Sequence, residues 1–344
     1  MFRTSFYAAL AFSALISTGC AHDKLLRQET QAFVAATQKS NAAGQEFYDR
    51  QIRKDHELWA SLHQLDRKCT PASLRNSYFR TDLKAGAVGL CLESAPSQGK
   101  QPSFDLSRAD FAGQYAALKF VESYLGALAK ASGDPTLHAS KDFAAAAADL
   151  NTLLAVLGMK KVQDGRITAV GDLAGLLEDL SKEHKSAKAI RAIVAEKRLR
   201  AESAFQEIVD ALKRDKSHEN ATLASANALM DLAGNSTEAL GISGAEARRI
   251  VIEMHYASID EQDRVAKCEK SASGEVPEGV RYSEKELCRY PAAGVMQVAQ
   301  QAHREFLGLI DGRLSKAQKQ KLINLQRENF IRVFKLYLSV VAAF

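Results

Sequence analysis

The chain has 344 residues, with 46 Lys+Arg against 41 Asp+Glu, a net charge of +5 and an isoelectric point near 8.8. That near balance argues against a dedicated nucleic-acid binder, whose basic excess is larger and clustered. The length allows a sizeable core, in one long domain or two ordinary ones, with a subdivision near residue 170 as one option.

The N-terminus comes first. "MFRTS" carries one positive charge, Arg3, and is followed by the uncharged run Phe6 to Ile16, too short to span a bilayer core of ~30 Å as a helix. Its length suits the apolar region of a secretory signal, and Ser17, Thr18 and Gly19 supply small residues before Cys20. "ALISTGCAH" resembles the lipobox of bacterial lipoproteins, although Ser17 stands where that family usually has leucine. The resemblance covers about twenty residues. It implies removal of residues 1–19 as a signal peptide, acylation of Cys20, and a mature chain held to the membrane through its lipid. Ala21, where an aspartate would signal inner-membrane retention, implies the outer membrane, facing the periplasm. A plain secretory signal cut nearby and an uncut short anchor remain alternatives.

Lys24 to Arg67 carries apolar or small residues at spacings of three and four (Leu26, Phe33, Thr37, Gly44, Phe47, Ile52, Trp59, Leu62, Leu65) with no proline. One long helix is expected there, carrying the body away from the anchor. Cys69 to Ser103 is rich in Pro, Gly and Ser and reads as a loop. Ser107 to Asp110 opens a helix with an acidic capping box, and its stripe is Phe111, Tyr115, Leu118, Val121, Leu125 and Leu128. Ser140 starts another, stopped by Gly158. Asp164-Gly165 lies between β-tolerant runs, a hairpin signal; in an otherwise helical chain a turn between helices is the preferred reading.

Leu173 to Lys213 follows as a long segment with a stripe of Ile190, Val194, Ala201, Phe205, Ile208 and Leu212. Gly234 ends a short helix, and Ser243 to Glu246 caps the next, which carries Ile250, Val251, Met254 and Val265. Pro291 suits the first turn of a helix running to Asp311. Ser315 to Gln318 caps the last, with Leu322, Leu325, Phe330, Val333, Phe334 and Tyr337 inward. The expected fold is therefore all-α: an elongated bundle of about eight helices with two disulfide-tied loops.

Besides Cys20 there are four cysteines, an even number that reads as two disulfides in an exported chain. Three pairings exist. Cys69–Cys91 and Cys268–Cys288 are favoured, because each pair brackets one irregular segment, and closing loops of that size stabilises by ~3 kcal/mol each. Zinc-ligand spacing is missing, so no metal or other cofactor is expected.

His56 and His63 are seven apart on one helical face, with Asp66 beyond, but lack the four-residue spacing of zinc proteases; packing or solvation explains them better. "EMHYASIDEQD", Glu253 to Asp263, reads as mixed surface charge. Nucleophile elbows and phosphate-binding glycine loops are both missing, leaving a hydrolase on a helical scaffold as the least favoured reading. Lys182 to Arg200 and Asp311 to Lys335 each hold seven Lys/Arg against two acids. On one shared face, Lys188, Arg191, Arg198, Arg327 and Arg332 are candidate contacts for an anionic lipid or polysaccharide; two solvated faces are the plainer explanation. The residues thus point to a non-enzymatic envelope lipoprotein, a tethered interaction module with an envelope protein as partner and no nucleic acid.

Overall fold

The computed structural model describes residues 4–65, 106–133, 140–182, 187–214, 263, 266–270, 284–310 and 314–341. Cys69, Cys91, the capping box at Ser243 and most of the Glu253–Asp263 stretch lie outside these residues. The described chain is almost wholly helical: α1 (Thr4–Leu65), α2 (Ala112–Gly133), α3 (Ser140–Val156), α4 (Ala169–Ser181), α5 (Ala187–Arg214), α6 (Glu284–Arg289), α7 (Pro291–Ile310) and α8 (Lys316–Val341). It forms two compact, discontinuous units. The first takes Met1–Ala42, Ala116–Ala211 and Ala292–Lys335; the second takes Ala43–Tyr115, Leu212–Pro291 and Leu336–Phe344.

In the first unit α3 packs on α4 through an apolar stripe. Phe143, Ala146, Leu150, Leu153 and Leu154 are buried on α3; Val170, Leu173, Leu176, Leu177 and Leu180 are buried on α4. Each such leucine or phenylalanine contributes roughly 1.5–3 kcal/mol on leaving water. Gly158 ends α3 with φ +65°, and its N–H and that of Met159 bond back to Ala155 and Leu154. That pair of bonds caps carbonyls which the helix end leaves unpaired.

Between α3 and α4 the structure corrects the turn expected at Asp164-Gly165. A two-stranded antiparallel hairpin forms, β1 (Val162–Gln163) and β2 (Arg166–Ile167), with Val162 opposite Ile167. Asp164 and Gly165 both take positive φ, 50° and 75°, the backbone that a two-residue hairpin loop requires. The hairpin is held from α4: the Thr168 hydroxyl donates to the Lys160 carbonyl at 2.8 Å and accepts the Gly171 N–H at 3.2 Å. A Cβ on Gly171 would stand 2.2 Å from the Lys161 carbonyl oxygen, so this approach admits only glycine.

The segment expected as one from Leu173 to Lys213 is two helices. Lys182 is extended (φ −70°, ψ 146°) and ends α4, where the Ser181 hydroxyl donates back to the Glu178 carbonyl at 2.7 Å. At the start of α8 Ser315 and Gln318 exchange bonds, N–H to Oε1 at 2.8 Å and N–H to Oγ at 3.3 Å, the reciprocal box expected there.

The interior of the first unit also holds an aromatic set from α1, α7 and α8. Phe33 lies 4.8 Å from Phe306 and 5.6 Å, edge-on, from Phe330. The buried face of α1 is not purely apolar there: Ser40 donates to the Phe330 carbonyl at 2.6 Å and Asn41 to the Leu118 carbonyl at 2.8 Å. These bonds fix α1 against the backbones of α8 and α2.

In the second unit Cys268 and Cys288 form a disulfide, Cα–Cα 5.8 Å, with both residues buried. Arg289 donates to Glu269, so the residues next to the two cysteines are also joined. The pairing expected for Cys268 and Cys288 is present; the second expected disulfide falls on residues outside the description.

Candidate functional site

Two polar clusters stand out among the described residues, one in each unit. In the second unit the segment before α2 is clamped to α1. Leu106 donates its N–H to Asp55 at 2.8 Å, and its carbonyl lies 2.9 Å from His56 Nε2. A carbonyl can only accept, so His56 carries its proton on Nε2. His56 is thus an exposed residue that holds the Leu106 backbone, where the sequence left packing or solvation open; the side chain of His63 is outside the description.

Nearby, Asp49 receives Arg108 at two oxygens, 2.9 and 2.8 Å, and the Tyr115 hydroxyl at 2.6 Å. Partial burial works against the Asp49 charge, but the bonds from Tyr115 and Arg108 and the charges of Arg108 and Arg53 outweigh it and hold the carboxyl below its usual range. Burial and the same carboxylate push the Tyr115 phenol up. Ser107 donates both its N–H (2.8 Å) and its hydroxyl (2.7 Å) to Asp110. The predicted capping box is therefore a turn whose carboxylate takes both donors, with α2 starting two residues later.

In the first unit the Tyr124 hydroxyl of α2 is hydrogen-bonded to His303 Nδ1 of α7. Both side chains are fully buried. The rings sit in an aromatic stack: Phe205 of α5 lies 4.9 Å from His303 and 5.8 Å from Tyr124, and Phe120 stacks on Tyr124 at 5.4 Å. Burial lowers the imidazole to about 3; the Arg198 backbone favours the proton, and the Arg198 guanidinium opposes it. Burial also raises the Tyr124 phenol well above its ordinary value. At neutral pH the pair is uncharged.

The sequence offered His56, the Ser107–Asp110 turn and Tyr115 separately, without Asp49 or Asp55 that join them, and the Tyr124–His303 pair went unread. His303 falls on the apolar stripe Val295, Ala299, Ala302, Phe306 of α7, a signal for burial that periodicity does offer. Its partner on α2 is set by tertiary packing.

The predicted basic residues fare differently from one another. Arg191 is exposed on α5, with Leu199 (72% exposed) and Arg200 further along. Arg198 is half-buried and faces His303. Arg327 is held by Glu29 at 2.5 Å, and Arg332 is half-buried on α8. The side chains of Lys188 and Cys20 are outside the description, although both residues lie on described helices. Among the described residues no three His, Cys, Asp or Glu come together to hold a metal ion, and no helix is long and apolar enough to cross a membrane. Comparison with protein-family models, with curated proteins and with solved structures finds no match to this chain.

Proposed function

We propose that this chain is a non-enzymatic cell-envelope lipoprotein, tethered through Cys20 to the outer membrane, whose helical body is an interaction module for other envelope proteins. The observation that carries the reading is "ALISTGCAH" at the start of an unbroken helix. α1 passes Cys20 and continues to Leu65. About 20 Å of helix separates Cys20 from Phe33 in the interior of the first unit. A cut before Cys20 leaves the acylated residue at the head of that helix, so the tether leads into the packed body without a flexible linker. Several acyl chains hold such a protein to a membrane firmly, at roughly 0.8 kcal/mol per buried CH₂.

A second reading draws on α5, where Arg191 and Arg200 are exposed with Leu199 between them in sequence. The two arginines flank the buried face of the helix from opposite sides, so what α5 offers an anionic envelope lipid or polysaccharide is separate exposed cations and not one basic face.

In-cell crosslinking of the full chain, with a Cys20→Ala form as control and partners identified by mass spectrometry, separates the two. A defined envelope protein captured by the anchored form and lost from Cys20→Ala is expected. Capture of lipid or polysaccharide alone, through α5, replaces the first reading by the second.

A further inference from the structure

We propose that the Tyr124–His303 pair is an acid-sensitive fastening of the first unit, one that joins α2 to α7 when His303 is neutral and releases them when it takes a proton. The neutral imidazole offers one donor and one acceptor, and Tyr124 uses Nδ1. Protonation makes both ring nitrogens donors. Tyr124 must then turn to accept from Nδ1, and its own proton needs a new acceptor. The surrounding rings of Phe120 and Phe205 offer that hydroxyl none of ordinary strength; the Arg198 backbone favours the proton on the ring, and burial outweighs it. A buried donor left without a partner is destabilising, and a buried cation more so.

The charges around the ring act in the same direction. Among the described residues Tyr124 from α2 and Arg198 from α5 are the titratable groups that act on His303, and the Arg198 guanidinium opposes a second cation. The carboxylate of Glu202, one turn along α5 from Arg198, is already held by Arg304 of α7. Nothing described there supplies a counter-charge for an imidazolium.

The sign follows from linkage. His303 titrates at about 3 in the folded chain and at an ordinary 6.5 when exposed. The open state therefore binds more protons between these values, and closure weakens as pH falls below 6.5. From pH 7.5 to pH 5 the opening equilibrium rises about thirtyfold, which is ~2 kcal/mol at 1.36 kcal/mol per tenfold. The fastening is fully effective above about pH 7. Mild acidification thus loosens α2 from α7 and exposes the rings of Phe120, Tyr124 and Phe205.

Hydrogen exchange of the full chain tests this, read by mass spectrometry on peptides of α2 and α7 and corrected for the intrinsic pH dependence of exchange. The wild type is expected to open about thirtyfold more at pH 5 than at pH 7.5, and His303→Gln, which cannot take the proton, to lack that increment. An equal pH response in the two proteins overturns the proposal. A variant-free check is the ring resonance of His303 in the wild type. A flat chemical shift from pH 8 to pH 5 is expected, and a midpoint near 6.5 overturns the proposal even if His303→Gln fails to fold.

Discussion

Two tyrosines of α2 make the same bond with opposite consequences. Tyr115 gives its hydroxyl to Asp49 at 2.6 Å in a half-buried site, where Arg108 supplies the counter-charge and the carboxylate is stabilised. Tyr124 is bonded to His303 in a closed aromatic stack, where burial above all, with the nearby cation Arg198 adding to it, keeps the imidazole neutral. The lesson is that the water a bonded group can reach, and after it the second charge nearby, decide what that group does with pH. Asp49 favours the folded state above its ordinary pKa of 3.8, an advantage lost only in strong acid; His303 begins to disfavour it already below pH 6.5.

The contrast can be broken most forcefully through the wall of the buried site. Phe205→Ala opens a cavity beside His303 and is expected to cost about 3–5 kcal/mol in denaturant unfolding. Water entering that cavity raises the His303 midpoint toward 6.5, which ring NMR reads directly. Tyr124→Phe removes the bond while keeping the ring, and leaves Nδ1 without its partner. A loss of about 1–3 kcal/mol is expected from thermal or denaturant unfolding.

Gly171→Ala sets a Cβ against the Lys161 carbonyl and separates the hairpin from α4, with an expected loss of about 1–3 kcal/mol. The pH dependence of stability should be unchanged there, which distinguishes general damage from damage to the fastening. Smallest is Arg108→Ala: Asp49 keeps Tyr115 and the charge of Arg53 and loses its bonded counter-charge, so its carboxyl midpoint, followed by NMR, moves up toward 3.8.

Local signals in the sequence were readable where the physics is local. Gly158 stops α3, Pro291 opens α7, and Ser315 with Gln318 caps α8, because each acts through backbone groups within a few residues. Cys268 and Cys288 bracket an irregular segment of the length that a disulfide closes readily, and they are bonded. Asp164-Gly165 gave the right hairpin signal, yet the neighbouring sequence argued for helices. What retains the hairpin is its seat on Thr168 and Gly171, visible only when α4 is in place.

The buried polar residues of α1 escaped for a related reason. Ser40 and Asn41 do not extend an apolar stripe; they are buried because carbonyls of Phe330 and Leu118, far away in sequence, accept from them. Tyr124 and His303 are likewise separated by most of the chain, and neither residue announces the other.

The tether rests on the shortest stretch of sequence and admits the most direct measurement: the mass of the N-terminal peptide of the protein isolated from its native membrane. An acylated lipoprotein gives a peptide beginning at Cys20 that carries a diacylglycerol and a further acyl chain, and Cys20→Ala gives none. An N-terminus that retains residues 1–19, or an unmodified Cys20, contradicts the envelope-tethered reading.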